Sequence, residues 1–209
     1  MKRLTNILVT VLLFNLAGVA VGRAEGNSSG PLVWCGLDYS KVKMIGTQDF
    51  RQPEQIFPGM LVKWNELFTA EMFPHLESMA KSAEADLDAV AARNEKASDS
   101  QIERTDGTRD ELVNPTHITE ADIAQAVRDY KLKHEQGLGL VFIMDRLVKA
   151  QETGCLYVVF FDIASRKVLY SERLCERAGG MGFRNYWFRP VKTAVGKLPK
   201  MYRKVGSEP

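Results

Sequence analysis

Apolar residues crowd into two extended stretches near the C-terminal end, 156–163 and 168–174, joined by Ala164, Ser165, Arg166 and Lys167. Their β-branched and aromatic content predicts a β-hairpin. The connection lacks the usual Gly or Asn, which leaves its turn type open. Just before it, 138–148 reads as an apolar strand, so these segments form a three-strand meander. Residues 186–204 show helical spacing instead, with Trp187, Val191, Ala194, Val195 and Leu198 as the buried stripe. Asn185 is placed as its N-cap, and Pro190 is tolerable only near its first turn.

Earlier segments are read the same way. Val33, Cys35, Leu37 and Tyr39 alternate with Trp34, Gly36 and Asp38, predicting a strand over 32–45. From Met60 the apolar positions Leu61, Trp64, Leu67, Phe68 and Met72 keep helical spacing until Pro74 ends or bends the helix. Residues 82–94 alternate like a strand but carry the Ala and Glu of a helix, and propensity favours helix. Residues 98–114 are polar and aperiodic and read as a long mobile loop. Thr119 and Asp122 have capping-box spacing, with Ile118 as staple. Ile123, Val127, Tyr130 and Leu132 supply that helix's apolar face, and Gly137 and Gly139 stop it.

This order of elements predicts an α+β fold with a mostly antiparallel sheet. The C-terminal meander is its centre, the earlier strands extend it, and helices pack on one face.

The first residues change the picture of location. Lys2 and Arg3 precede an apolar run from Ile7 to Val21, and Gly22 and Ala24 are small at the −3 and −1 positions of a cleavage site. At about 15 residues the run is short of the roughly 20 that span a bilayer. Residues 1–24 therefore read as a secretory signal peptide, 25–31 as a linker and 32–205 as a single domain. The expected location is periplasmic or secreted, with no transmembrane segment after cleavage. The three cysteines then meet an oxidising compartment, which allows one disulfide and leaves one thiol over. If the hairpin closes with a three-residue loop, Ile163 faces Lys167, Phe161 faces Leu169, and Cys155 faces Cys175. A two-residue loop would pair Cys155 with Glu176 and put the cysteines on opposite faces.

The formal net charge of +2 conceals an acidic middle and a basic C-terminal part. Two solvated, mutually complementary faces account for this. A basic surface for an anionic partner is the sharper reading. Export removes nucleic acid from consideration.

Catalytic signals are sparse. His75, His117 and His134 have no metal-ligand spacing, so neither a metal nor any other cofactor is expected. Asp38, Asp145, Asp162 and Glu172 on predicted strands could pair for acid–base work on a glycan, although strand-end aspartates more often organise turns. No serine sits in a nucleophile elbow. Cys35 has no histidine nearby in sequence and reads as a buried structural thiol. The glycines at 179, 180 and 182 lack the residues of a phosphate loop. Beside them, Arg184, Asn185, Tyr186 and Trp187 have the composition of a binding hot spot, against the plainer view that Tyr186 and Trp187 anchor the last helix in the core.

Five strings carry a likeness: GMLVKWNELF from Gly59, DLDAV from Asp86 with Asn94 following, GLGLVF from Gly137, VFFD from Val159, and GFRNYW from Gly182. Together they resemble an uncharacterised family of exported bacterial proteins to which no activity is assigned, so no catalytic residue is carried over. The resemblance implies a strand over 84–90, against propensity. The chain departs from the pattern at Phe188, Arg189 and Pro190, where small residues are more usual. The functional expectation is a non-enzymatic binding or assembly module of the bacterial envelope, its partner an envelope protein or an anionic surface. The alternative is a glycan-acting hydrolase using strand-end carboxylates.

Overall fold

The computed structural model describes residues 30–47 and 50–205. The signal-peptide reading of 1–24, and the linker as far as Ser29, lie outside the described residues.

One strand organises the sheet. β5 (Leu138–Val148) is buried along its whole length. Its two edges are filled differently. β6 (Thr153–Asp162) runs antiparallel along one edge, and β7 (Val168–Arg177) follows antiparallel on β6. The other edge is shared end to end by two strands. β1 (Leu32–Asp38) pairs in parallel with the first half of β5, and β2 (Lys43–Ile45) in parallel with Arg146 to Val148. Outside them lie β3 (Ala83–Ala85), parallel to β1, and β4 (Ile102–Glu103), parallel to β2. The path β3-β1-β5-β2-β4 is thus parallel throughout.

The mostly antiparallel α+β expectation is therefore corrected: this is an α/β fold, antiparallel only where β6 and β7 are added. Parallel neighbours require crossovers, and the helices between β1 and β5 supply them. Those helices also overturn the expectation of one covered face. Leu140, Phe142, Leu156, Val158 and Phe160 pack under α2 (Leu61–Met79) and α6 (Gly182–Val205). Val141, Ile143, Val159 and Phe161, from the opposite face, pack under α3 (Asp88–Asn94) and α5 (Glu120–Asp129). The short helices α1 (Pro53–Gln55) and α4 (Arg109–Leu112) lie in the connections.

Several local readings are also revised. The strand implied over 84–90 is only β3, and α3 begins at Asp88, so helix propensity prevails after Leu87. The polar stretch 98–114 holds β4, α4 and a 3-10 turn at Asp99–Gln101, fixed by capping boxes at Ser98 and Thr108. α5 ends at Asp129, well before Gly137. α2 continues through Pro74.

α6 begins at Gly182, which places Asn185 inside its first turn rather than at its cap. Pro190 is consequently inside the helix, where it has no N–H for the carbonyl of Tyr186. That carbonyl accepts instead from the N–H of Gly179 at 3.0 Å, so the glycine-rich loop folds back and satisfies it. The ring of Pro190 packs on Gly154, where a Cβ would come within 2.9 Å. The stripe Trp187, Val191, Ala194, Val195 and Leu198 is buried, each large apolar side chain contributing about 1.5–3 kcal/mol.

The hairpin register has two parts. From Thr153 opposite Arg177 to Phe160 opposite Tyr170, the pairing puts Cys155 against Cys175, and their Sγ atoms are bonded with Cα atoms 4.1 Å apart. At the turn, however, Phe161 faces Val168 rather than Leu169, with a bulge between. Arg166 takes a positive φ of 58° where glycine is commoner. Its guanidinium donates to the carbonyl of Tyr130 at 3.0 Å, at the C-terminal end of α5, where a cation is favoured by the helix dipole.

Candidate functional site

The segment entering α6 positions the residues singled out in the sequence. The chain leaves β7, the N–H of Ala178 bonds the Glu152 carbonyl, and Gly180 and Gly182 turn it at φ values of 126° and 77°. The helix then presents Arg184, Asn185, Tyr186 and Trp187 in different directions. Arg184 turns toward α2, where it pairs with Glu71 and lies 5.6 Å from the ring centre of Phe188. Asn185 faces outward and accepts from Arg184 at 3.2 Å. Trp187 is 2% exposed and stacks on Phe50 at 5.8 Å. Tyr186 is half-buried and meets Trp187 edge to face at 4.9 Å.

Of these four, Tyr186 and Trp187 line one cleft together. It measures about 400 Å³ and is shared with Lys149, Gly180, Gly182 and Phe183. Lys149 comes from the turn between β5 and β6, held by its N–H on the Ile45 carbonyl at 2.9 Å. Its ammonium sits 3.9 Å from the centre of the Tyr186 ring, in cation–π range. Among the described residues no carboxylate pairs with Lys149, and the Tyr186 hydroxyl is shielded from water without a hydrogen-bond partner. The cleft therefore offers an aromatic wall and an ammonium, a set suited to a ligand with an apolar face and an anionic group. Sequence reasoning missed Lys149, because nothing local marks a turn lysine as the neighbour of a helix start.

A larger cleft of about 490 Å³ lies between α5 and β7. Its arginines are engaged: Arg166 with the Tyr130 carbonyl, Arg128 with Gln125. It is the poorer candidate despite its size.

The four strand carboxylates are all committed. Asp38 accepts from Arg93 Nε and from the Tyr130 hydroxyl at 2.9 Å each, and from the Ser40 N–H at 2.9 Å. Asp145 is the bulged residue of β5 and is fully buried. Arg173 reaches it through Nε at 2.8 Å and Nη2 at 2.6 Å. His117 Nδ1 lies 3.2 Å away, while its Nε2 donates to the Lys41 carbonyl at 2.7 Å. Burial works to raise the pKa of Asp145, but the side-chain contacts of His117 and Arg173 and the charges of Arg173 and Arg146 outweigh it and hold the carboxyl below its ordinary value. Asp162 organises the hairpin turn through Ser165, and Glu172 bonds Tyr170 and faces Lys204.

Cys35, the bulged residue of β1, is fully buried, and burial with Asp86 nearby pushes its thiol well above the ordinary range. His134 pairs with Glu84 on β3. Among the described residues no three His, Cys, Asp or Glu side chains assemble into a metal site, and no helix is long and apolar enough to cross a membrane.

What fold and site define is a helix-covered, mixed-sheet α/β domain with an aromatic cleft at the start of its last helix. No family model matches the chain, and no curated protein matches its sequence.

Proposed function

We propose that this protein is an exported binding module of the bacterial envelope, acting without chemistry of its own, and that the cleft before α6 is its ligand site. The observation that carries the reading is the Lys149–Tyr186 pair. A half-buried lysine places its ammonium against an aromatic face in an open cavity. The committed state of Asp38, Asp145, Asp162 and Glu172 weighs against the glycan-hydrolase alternative, which needs a pair free to exchange protons. The signal-peptide pattern of residues 1–24 supports the location.

The chemistry of the cleft favours an acidic saccharide, its ring face on the aromatic wall and its carboxylate toward Lys149. A two-dimensional NMR titration with a uronic-acid oligosaccharide, against a neutral glucan of equal length, tests this. Shifts confined to Lys149, Gly180 to Trp187 and their neighbours, weakened by Lys149→Met, are expected. No perturbation at millimolar ligand, or equal response to the neutral glucan, would refute it. Appearance of cleaved sugar would return the hydrolase reading.

A further inference from the structure

The outer face of α6 carries a second feature, independent of the cleft. The helix holds seven basic residues and no acidic one. Three of them face carboxylates of neighbouring elements: Arg184 meets Glu71, Lys197 meets Glu176, and Lys204 meets Glu172. The other four, Arg189, Lys192, Lys200 and Arg203, are exposed and have no acidic partner among the described residues. At 3.6 residues per turn they fall within an arc of about 80°, and at 1.5 Å per residue they extend over about 21 Å. They form one ridge of unneutralised charge. At the end of the ridge, just before the helix, Met181 is 91% exposed.

We infer that this ridge docks the protein on an anionic lipid bilayer, with Met181 entering the headgroup–acyl boundary. The opposite side of α6 is buried in the core through Trp187, Val191, Val195, Leu198 and Met201, so the helix stays folded and only its charged side is offered. A ridge standing on the outside of a helical layer meets a flat surface along its whole length. Neither of the clefts described above is lined by these four residues. The exposed methionine adds apolar anchorage that a soluble polyanion would not use.

Co-sedimentation of the exported protein with vesicles of phosphatidylglycerol and phosphatidylcholine tests the inference. Binding is expected at low salt, absent on pure phosphatidylcholine, and lost at about 0.5 M salt, where charge attraction is screened within a few ångström. Each of Arg189→Gln, Lys192→Gln, Lys200→Gln and Arg203→Gln should weaken binding about fivefold, and the four together on the order of several hundredfold. Met181→Ser should cost about tenfold, with the salt dependence unchanged. Lys167→Gln, on the hairpin turn, should change nothing. All these positions are exposed, and circular dichroism verifies that the variants fold. Wild-type binding by the fourfold variant would overturn the docking surface, as would equal affinity for the neutral vesicles. Capture by soluble heparin without capture by the anionic vesicles would overturn the bilayer as its target. Unchanged binding of Met181→Ser would overturn the insertion of that side chain.

Discussion

Arg173 on β7 reaches across β6 to bind Asp145 on β5, with Nε and Nη2 at 2.8 and 2.6 Å from the same carboxylate oxygen. The guanidinium does more than neutralise a buried charge. Its remaining hydrogens go to the carbonyls of Val113, Asn114 and Pro115 at 2.7–3.1 Å. Arg146, next to Asp145, donates to the Leu112 carbonyl at 2.7 Å. The bulge at Asp145 thus lets two arginines hold the segment 112–115, which has little regular structure of its own, against the sheet.

Arg173→Leu should destabilise the fold by about 3–5 kcal/mol, because it leaves a fully buried carboxylate without its main partner. Pairing it with Asp145→Asn should recover part of that loss, since the uncompensated charge is gone. Urea denaturation of the two single variants and the double variant measures both effects. A single variant as stable as wild type would mean that the cluster is replaceable.

The same cluster makes an acid dependence. The folded protein holds Asp145 ionised below the ordinary carboxylate range, whereas the unfolded chain protonates it within that range. The unfolded state therefore binds the proton first, and the stabilisation is present above that range and lost as pH falls through the lowered folded value. Urea midpoints from about pH 7 to about pH 2 should fall more steeply for wild type than for Asp145→Asn at the acid end. Parallel curves would show that other carboxylates govern acid unfolding.

Cysteine reactivity should separate cleanly. Cys35 is buried with its thiol held protonated, and Cys155 and Cys175 are joined. Maleimide should label no cysteine in the native protein, Cys35 alone after unfolding without reductant, and all three after unfolding and reduction. Mass spectrometry counts the adducts. Native labelling of Cys35 would mean that its strand opens.

Trp187→Ala should cost about 3–5 kcal/mol, the usual loss for deleting a large buried aromatic. The side chain is 2% exposed and is packed by Phe50 and Tyr186. Chemical denaturation decides, and a stability change under about 1 kcal/mol would show that the site collapses around the gap.

Local patterns were legible wherever an element has one apolar side. The stripe of α6, the capping box of Thr119 and Asp122, and the extended segments of β5, β6 and β7 follow from spacing alone, because side-chain direction repeats every 3.6 residues in a helix and every two in a strand. The partner of each strand did not follow. β1 and β5 are separated by nearly one hundred residues, and closing a longer loop costs only slightly more entropy than closing a shorter one. Sequence distance therefore does not say whether β1 extends a meander or enters in parallel from a crossover. One signal was present: the nearly unbroken apolar run of β5 is what a strand covered by helices on both faces needs. The cleft divides in the same way. Tyr186 and Trp187 stood out because aromatic residues beside glycines are conspicuous in any chain. Arg184 and Asn185 stood beside them in sequence but point elsewhere, since helical neighbours diverge by about 100°. Lys149 entered only through the pairing of β5 with β2, which brings its turn to the start of α6 by contacts that no local run of residues encodes.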